Sequence, residues 1–326
     1  MKKILVTGAG GYIGNVLIPM LLKRKYKVIA IDKFFFGQSL KKNKNLEIKK
    51  VDVRKLQNKH FRNIYAVIDL ASISNDPGAE KFKKLTWDIN YKSRIRNAKL
   101  AKKNGVKRYI LPSSCSIYGF QKKIVNENSK VNPLTTYSKA NYAAEIKIKK
   151  LRSNNYCVVI VRQATIFGIS KRMRFDLAIN AMSEGAYNHN QLPIMRNGEQ
   201  VRPFCHVKDT CRFQIMLLEC SLEKINGEIF NVGSSNCTKK IKELANIVKR
   251  NIPKKVNLIW YGDPDHRSYM VSFQKLKKLN FKTKFSISYG VKEIISAIKN
   301  KKLKKTRKTI TLDWYNYLNT KKKFIK

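Results

Sequence analysis

The chain has 326 residues, of which 43% are hydrophobic and 10% aromatic. This composition is typical of a globular protein and argues against an intrinsically disordered one. A chain of this length can bury a large core, so we expect one large domain with an appendage or two closely joined domains. No apolar run reaches the roughly 18 residues that a membrane-spanning helix needs, so no membrane partner is expected.

The net charge of +48 raises the hypothesis of a nucleic-acid partner. The lysines are spread over the whole chain and outnumber the arginines, and no basic stripe is interleaved with aromatic residues. We therefore interpret the charge as a general preference for lysine on solvated surfaces and do not expect nucleic acid as the main partner. The same charge would attract anionic small molecules.

Six cysteines and the N-terminal residues bear on the compartment. The cysteines form no C-x-x-C pair, so we expect reduced thiols, with neither a disulfide nor a metal site. The start MKKILVTGAGGYIG has lysines before apolar residues, as in a signal peptide, but its glycines interrupt the apolar segment. A cytoplasmic location is predicted.

Short apolar strands alternate with helical stretches over the first half of the chain. The predicted strands are KILVT (3–7), KVIAID (27–32), NLEIKKVDV (45–53), AVIDLAS (66–72), VKRYILPSS (106–114) and CVVIVRQ (157–163). Helices are predicted after the first strand, over about 88–104 and from near Tyr137. This alternation predicts an α/β protein with a Rossmann-type, doubly wound parallel sheet.

The sequence changes character after Gly168, where arginines and an asparagine-rich stretch replace the regular alternation. We assign residues 1–168 to the Rossmann domain. Residues 169–326 are assigned mainly to a smaller, interleaved α/β domain that binds substrate and ends in a basic tail. Residues 203–233, which contain a predicted helix and the strand GEIFNVG, are expected to return to the first domain.

A glycine turn joins the first strand to the first helix. Gly8, Gly11 and Gly14 have the spacing G-x-x-G-x-x-G, which lets the chain turn tightly, approach a pyrophosphate and pack the helix on the strand. Asp32 closes the second strand, where a carboxylate accepts hydrogen bonds from a ribose diol and repels a 2′-phosphate. The pattern predicts a dinucleotide site that favours NAD(H) over NADP(H), although Lys33 weakens that preference.

Together, TGAGGYIG, Asp32, LAS at 70–72, SSCSIYG at 113–119 and RPFCHVKD resemble the extended short-chain dehydrogenase/reductases. The chain specifically resembles their NAD-dependent epimerase/dehydratase family, which modifies nucleotide sugars and commonly forms homodimers. By this resemblance the cofactor is NAD. The residues implied to bind it are Gly8, Gly11, Tyr12, Ile13, Gly14, Asp32, Asp52, Val53, Leu70, Ala71, Ser72 and Asn141.

The resemblance implies that Tyr137 and Ser114 are catalytic. Tyr137 would take a proton from a sugar hydroxyl, and Ser114 would bond the reacting oxygen. Dehydratases of the family have an Asp-Glu pair after this serine, but here Cys115 and Ser116 follow, which disfavours water elimination.

The family's tyrosine is followed, one helical turn later, by a lysine whose charge stabilises the phenolate, but this chain has Asn141 at that position. Lys139 begins about 200° around the helix from Tyr137 and cannot replace it. Three explanations remain open: activation of Tyr137 by NAD+ and the surrounding field, a lysine reaching in from elsewhere, or a slow or inactive paralogue.

The resemblance also implies substrate contacts in the second half of the chain. Asn180, Arg202 and Arg267 would meet the substrate diphosphate, the arginines through bidentate bonds. Arg172 and Arg174 are placed in the same anionic pocket. These are the candidate substrate-binding residues.

We interpret the chain as an enzyme that transfers hydride at C4 of an NDP-hexose or NDP-heptose. It would act as an epimerase or a dehydrogenase, and in reverse as a 4-ketoreductase. The alternatives are a catalytically weak protein that binds NAD(H) or nucleotide sugars, because Asn141 replaces the lysine, and a nucleic-acid-associated protein.

Overall fold

The computed structural model describes residues 1–263, 265, 267–322 and 324. The strands, in chain order, are β1 (Lys3–Thr7), β2 (Lys27–Asp32), β3 (Leu46–Lys50), β4 (Ala66–Asp69), β5 (Arg108–Ser114), β6 (Cys157–Gln163), β7 (Thr165–Phe167), β8 (Gln191–Met195), β9 (Val201–His206), β10 (Ile229–Val232), β11 (Thr238–Lys240) and β12 (Asn257–Tyr261). The helices are α1 (Gly14–Lys23), α2 (Asp76–Lys81), α3 (Lys83–Trp87), α4 (Arg94–Lys103), α5 (Thr136–Lys149), α6 (Ala178–His189), α7 (Val207–Glu219), α8 (Leu222–Ile225), α9 (Ile241–Arg250), α10 (Gln274–Lys277), α11 (Ile287–Lys299) and α12 (Thr311–Thr320).

The main sheet has seven parallel strands in the order β10–β6–β5–β4–β1–β2–β3. Ile4 and Val6 of β1 point into one hydrophobic cluster and Leu5 into the other, so the strand is buried on both faces. A strand in this position needs a continuous apolar run, which explains the sequence KILVT. The predicted doubly wound parallel sheet is confirmed.

The chain reverses its direction of progress across the sheet beside β1. From β1 it moves to β2 and β3 on one side, and then to β4, β5 and β6 on the other. In sheets of this kind, a crevice opens at the carboxyl ends of the strands where the order reverses, and ligands bind there. The carboxyl ends of β1 and β4, where Thr7 pairs with Asp69, mark that position.

The predicted helix over about 88–104 contains two kinds of helical turn. Residues Asp88–Ser93 form a π-helical stretch, and α4 follows it directly. Both pieces pack against α5. A π-helical turn changes the direction in which the following side chains point, and such turns are frequent at functional sites.

The second half of the chain builds smaller sheets beside the main one. Strand β9 pairs with β7 in parallel and with β11 in antiparallel orientation, while β8 pairs with β12. Helices α6, α9 and α11 pack around these strands over a separate hydrophobic cluster. Helix α7 packs against α1, and β10 adds to the main sheet beside β6. Of the stretch 203–233, the part from Val207 onward therefore lies on the main sheet, whereas β9 does not.

The C-terminal segment packs against the first half of the chain. Tyr315 and Leu318 of α12 and the following Phe324 are buried with Phe82 and Ile73. The segment is therefore more than a basic extension, because its aromatic face belongs to a core. Lys323, Ile325 and Lys326 of the predicted basic tail lie outside the described residues.

No helix in the described part of the chain is both long and apolar enough to cross a membrane.

A buried ion pair ties α5 to the sheet. Glu145 accepts hydrogen bonds of 2.8 and 3.1 Å from the guanidinium of Arg162 on β6, and both side chains are almost completely buried. The Arg162 guanidinium also donates to the hydroxyl oxygen of Tyr118. The charge of each partner is neutralised inside the protein, so the pair fixes the third turn of α5 against the sheet.

Removing the carboxylate of this pair is expected to destabilise the protein strongly. Glu145→Ala leaves the Arg162 charge buried and uncompensated, which costs about 3–5 kcal/mol of unfolding free energy. The matched control is Glu47→Ala, which breaks a solvent-exposed pair with Lys49 at 2.9 Å and should cost less than about 1 kcal/mol. Urea denaturation of both variants measures the difference, and equal losses would contradict the role assigned to Glu145.

Candidate active site

A cavity of about 680 Å³ opens at the carboxyl ends of β1, β4 and β5 and extends between the main sheet and the second half of the chain. Most residues nominated from the sequence line it: Gly8, Gly11, Tyr12, Ile13, Gly14, Asp32, Asp52, Val53, Leu70, Ala71, Ser72, Ser114, Tyr137, Arg172, Arg174, Arg202 and Arg267. Its volume lies within the range of small-molecule sites, about 300–1,000 Å³. A single cavity therefore connects the glycine turn to the arginines of the second half.

The glycine turn has no room for side chains. A Cβ on Gly8 would lie 2.7 Å from the backbone nitrogen of Ala71, and one on Gly14 would lie 2.5 Å from the carbonyl oxygen of Ala9. Gly8 also has a φ of +64°, in the left-handed region that glycine adopts readily. The glycines therefore let the turn pack directly on Ala71 and the start of α1 on Ala9, which brings the N-terminus of α1 to the cavity wall, a position that fits the pyrophosphate of a dinucleotide.

Asp32 lies beside this turn at the end of β2. Its carboxylate accepts hydrogen bonds from the backbone N–H of Gly10 at 2.9 Å and of Phe34 at 2.6 Å. Burial raises the pKa of Asp32, and the N–H groups of Phe34, Gly10 and Lys33 oppose the increase only in part. The carboxylate is thus held at the cavity wall beside the glycine turn.

The side chain of Lys33 is directed to another carboxylate. Its ammonium lies 3.2 Å from Asp52, which also forms an ion pair of 2.7 Å with Arg54. Burial alone would raise the pKa of Asp52, but the bonds from Arg54 and the charge of Lys33 hold it below its ordinary value. The attraction of Lys33 to Asp52 limits its effect on the environment of Asp32.

Tyr137 lies in the first turn of α5 and faces the cavity. Thr135 caps this helix by accepting a hydrogen bond from the backbone N–H of Ser138 at 3.2 Å. Lys139 is exposed to solvent on another face of the helix. Lys139 therefore does not accompany Tyr137 on the cavity side of the helix.

The ionisation of Tyr137 is balanced between opposing effects. Burial raises the pKa of its phenol, and the negative charge of Asp76 adds to the increase. The positive charges of Arg94 and Arg174 and a hydrogen bond with Ser114 act in the opposite direction, but the net pKa stays above the ordinary value. The raised pKa favours the protonated phenol in the protein alone, and Tyr137 lines the same cavity wall as Ser114.

Cys115 and Ser116 cannot serve as acid and base. The thiol of Cys115 is buried, donates a hydrogen bond to the carbonyl oxygen of Arg162 at 3.3 Å, and has a pKa far above its ordinary value because of burial. Ser116 reaches the cavity wall but has no ionisable group at neutral pH. The site therefore lacks the carboxyl pair of a dehydratase at these positions.

Two nominated residues do not reach the cavity wall. Asn180 is fully buried, and its amide donates to the Tyr12 hydroxyl oxygen at 3.1 Å and to the carbonyl oxygen of Arg174 at 2.9 Å. Asn141 is buried against Arg94, whose guanidinium donates to its carbonyl oxygen at 2.7 Å. The amide of Asn180 and the side-chain oxygen of Asn141 are bonded to neighbouring protein groups, so both asparagines lie behind the cavity wall.

Three of the nominated arginines are paired with a carboxylate. Asp265 accepts hydrogen bonds from Arg202 at 2.8 Å and from Arg267 at 2.7 Å. Burial alone would raise the pKa of Asp265, but the bond from Arg267 and the charge of Arg202 hold it below its ordinary value. Arg174 is paired with Asp176 at 2.7 Å. Pro264 and His266, from the same stretch as Arg267, lie outside the described residues.

Arg172 is held by an aromatic ring and a hydroxyl group. Its guanidinium lies 3.7 Å from the centroid of the Phe36 ring and donates to the Thr311 hydroxyl oxygen at 3.0 Å. Burial and the neighbouring charge of Arg174 lower the pKa of Arg172 to about 10. This guanidinium therefore presents a buried positive charge that an anionic ligand would stabilise.

Sequence reasoning missed three contributors to the cavity wall. Asp76 at the start of α2 accepts a hydrogen bond from the Thr135 hydroxyl at 2.5 Å and forms an ion pair with Arg267. Tyr315 and Phe324 close another part of the wall. The sequence NDP at 75–77 signals the start of a helix, but its contacts with residues far along the chain have no local signal.

The glycine turn, the carboxylate at the end of β2 and the tyrosine on the cavity wall define a dinucleotide-binding α/β oxidoreductase. The model of the NAD dependent epimerase/dehydratase family matches residues 4–233. The chain belongs to this family of enzymes, and NAD is its cofactor.

Two related proteins and one solved structure align with nearly the whole chain. A UDP-glucuronate 4-epimerase of Thermodesulfobacterium geofontis is 27% identical over 316 residues, which are 91% of this chain and 96% of that protein. A UDP-glucuronic acid decarboxylase of Arabidopsis thaliana is 27% identical over 323 residues, with 92% and 70% covered. The structure of a UDP-glucuronic acid 4-epimerase from Bacillus cereus with UDP-glucuronic acid and NAD superposes with a TM-score of 0.83 at 24% identity, covering 91% and 99%.

Asp32 is expected to determine the preference between NAD+ and NADP+. Asp32→Asn keeps the size of the side chain but removes the charge that repels a 2′-phosphate, so the preference for NAD+ should fall about tenfold. The matched control Asp313→Asn neutralises an exposed carboxylate elsewhere on the cavity wall and should leave the preference unchanged. Calorimetric titration with both cofactors measures the effect, and an unchanged preference in Asp32→Asn would contradict this assignment.

Proposed function

We propose that the chain is an NAD-dependent 4-epimerase of a nucleoside-diphosphate hexose or heptose, with Tyr137 and Ser114 as its catalytic residues. The observation that carries this proposal is that both hydroxyl-bearing side chains line the wall of the cavity that also contains the glycine turn. The tyrosine and the serine would share the oxygen at C4 of the sugar, the tyrosine as base and the serine as hydrogen-bonding partner.

The proposed chemistry breaks two bonds of the sugar, the C4–H bond and the O–H bond of the 4-hydroxyl. The Tyr137 phenolate takes the proton of the 4-hydroxyl while a hydride leaves C4, which gives a 4-keto sugar. NAD+, when bound, supplies the acceptor for this hydride and, as NADH, its donor. Epimerisation requires the keto sugar to turn so that its other face receives the hydride, with Tyr137 returning the proton.

The aromatic side chains of the C-terminal segment support this chemistry by limiting access of water. Tyr315 and Phe324 line the cavity, and their rings stack with centroids 4.4 Å apart. An environment with little water strengthens the interactions of the reacting charges. It also protects a reduced cofactor and a keto sugar from release before the second hydride transfer.

Arg202 and Arg267 are proposed to bind the substrate diphosphate. Asp265 already fixes both guanidinium groups, so little side-chain freedom remains to be lost when the anion binds. The named relatives act on UDP-linked sugars, which supports a uridine nucleotide in this chain. One relative is an epimerase and another a decarboxylase, so the product must be measured.

Incubation with NAD+ and a panel of UDP-hexoses and UDP-hexuronic acids tests the proposed reaction. Chromatography and NMR of the products distinguish a C4 epimer from a released keto sugar or a decarboxylated pentose. The second candidate function is a binding protein without turnover, favoured by Asn141 in place of a lysine. It would be supported if the protein binds NAD+ and sugar nucleotide but absorbance at 340 nm never changes.

A homodimer is also proposed, as the resemblance implies, with α5 in its interface. Ile146 on this helix is 41% exposed, although several lysines lie on the same helix and would have to remain at the rim. Light scattering coupled to size-exclusion chromatography measures the mass in solution. The nucleic-acid alternative would require strongly salt-dependent binding to duplex DNA.

Tyr137→Phe is expected to lower kcat by at least about 100-fold, because the variant has no group that can take the proton. Binding of NAD+ should change by less than about threefold, since the ring remains. The matched control is Tyr142→Phe on the same helix, which removes the hydroxyl of a half-buried tyrosine outside the cavity and should leave kcat unchanged. Equal kcat values in Tyr137→Phe and the wild type would exclude Tyr137 as the base.

The pH dependence of the reaction follows from the raised pKa of Tyr137. The base must be deprotonated, so kcat/KM should increase with pH through the neutral range, about tenfold per pH unit below that pKa. Asp76, Arg94, Arg174 and Ser114 are the groups that influence this ionisation. A profile that is flat from pH 6 to 9 would contradict a protonated resting tyrosine.

A further inference from the structure

The residue one turn after the candidate base cannot supply charge by itself. Tyr137 and Asn141 are four residues apart on α5, so their side chains point to the same side of the helix. The carboxamide of Asn141 is neutral, and the side chain is only 1% exposed. Its amide nitrogen has no hydrogen-bond partner among the described residues, whereas its oxygen accepts the 2.7 Å bond from Arg94.

Arg94 brings a positive charge to this place from a neighbouring helix. It is the first residue of α4, directly after the π-helical stretch Asp88–Ser93 that packs against α5. The side chain is 3% exposed, and its Nε has no hydrogen-bond partner in the described part of the chain. The closest bonded partner of its guanidinium is therefore the neutral oxygen of Asn141.

Most arginines at or near the site have carboxylate partners, but Arg94 and Arg172 have none within the described residues. Arg172 lies instead against the Phe36 ring and donates to Thr311. Arg162 is paired with Glu145, Arg174 with Asp176, and Arg202 and Arg267 with Asp265. Asp69 is a buried carboxylate joined to Arg94 by a chain of hydrogen bonds, but its own partners are Thr7 and Tyr109, from which it accepts hydrogen bonds. Tyr109 links it to Arg94 only through the Arg94 carbonyl oxygen.

An arginine buried without a carboxylate is costly, because a charge removed from water needs compensation. Such a group is a candidate for function when it lies close to a residue that acquires the opposite charge. Tyr137 is that residue under the proposed function, since it becomes a phenolate during the reaction. The charge of Arg94 is the largest of the individual charge effects acting on the Tyr137 phenol, ahead of Asp76 and Arg174.

We propose that Arg94 supplies, from α4, the positive charge beside Tyr137 that a lysine would otherwise supply from position 141, and that Asn141 positions its guanidinium. The inference rests on the proposed function, because it assumes that Tyr137 is the base. The positive charge therefore comes from α4, and the side chain that holds it in place comes from α5. Arg94 acts on the reaction through the ionisation of Tyr137, without a contact to substrate.

This arrangement has two physical consequences. A guanidinium remains charged at every pH at which the protein is folded, whereas a buried lysine can lose its proton. Arg94 therefore favours the phenolate over the whole working range. Since Asn141 does not line the cavity, this chain has no group at position 141 to bind the nicotinamide ribose, and cofactor affinity should depend on the glycine turn and Asp32.

The first experiment measures the ionisation of Tyr137 without turnover. Protein labelled with ¹³Cζ-tyrosine is titrated by NMR, and the Tyr137 signal is assigned by its loss in Tyr137→Phe. Arg94→Met should raise the pKa of Tyr137, while Arg94→Lys should keep it near the wild-type value. The control Lys99→Met removes an exposed charge from the same helix and should not move it.

The second experiment moves the positive charge from position 94 to position 141. Arg94→Met should lower kcat about 10- to 100-fold with little change in the KM of the sugar nucleotide, because it removes charge stabilisation of the phenolate and no substrate contact. Asn141→Lys alone places two positive groups together and should bring no gain. In the double variant Arg94→Met with Asn141→Lys, most of the lost activity should return, so the two effects are strongly non-additive.

The outcomes separate this inference from the proposed function. If no sugar nucleotide is converted but Arg94→Met still raises the pKa of Tyr137, the electrostatic pairing holds and the reaction assignment fails. If conversion is observed but Arg94→Met leaves the pKa of Tyr137 unchanged and kcat within twofold of the wild-type value, the inference is overturned. A gain in turnover from Asn141→Lys alone would also overturn it. Circular dichroism of each variant, with Arg94→Lys as the conservative change, shows whether a loss reflects unfolding.

Discussion

A phenol surrounded by protein cannot lose its proton unless a positive charge lies close to it, and this constraint governs the architecture around Tyr137. Burial raises the pKa of the group, so any charge that opposes the increase must itself be buried within a few ångströms. Helix α5 places the phenol on the cavity wall but carries an asparagine where a cation would be in reach. The packing of α4 against α5 therefore decides how the site is balanced electrostatically.

Charges are also compensated at the far end of the cavity. Asp265 lies between Arg202 and Arg267, and Asp76 contacts Arg267 from the side of α2. These carboxylates reduce mutual repulsion of the guanidinium groups and hold them in fixed positions before a ligand arrives. The high net charge of the chain is thus not concentrated in the cavity, where most cations have an anionic partner. The fixed arrangement of the guanidinium groups, more than the total charge of the chain, would suit this region to an anion such as a diphosphate.

The parts of the site that sequence could predict depend on contacts between residues close together in the chain. Gly8, Gly11 and Gly14 form one turn, and Asp32 ends the neighbouring strand, so spacing alone indicated how they would meet. Tyr137 was placed by the family resemblance, and the structure shows that its helix begins at a local cap, Thr135 with Ser138 three residues later.

The remaining features depend on tertiary packing between distant segments. Arg94 meets Asn141 across 47 positions, and only the packing of two helices brings them together. Asn180 was expected at the substrate, but its amide is used by Tyr12 and by the backbone of Arg174, a competition that no local pattern reveals. Likewise, the burial of Phe324 against Phe82 could not be seen in a segment whose composition is mainly basic.

The wall of the cavity extends in sequence from Gly8 to Phe324, and this has a consequence for how the protein matures. Helix α12 contributes no strand to the main sheet, so none of the strand pairings includes it. A compact intermediate with an intact sheet would then have an open, water-filled cleft in place of the enclosed cavity. Ligand affinity therefore reports on completion of folding at the C-terminal end, whereas the spectroscopic signal of the sheet does not.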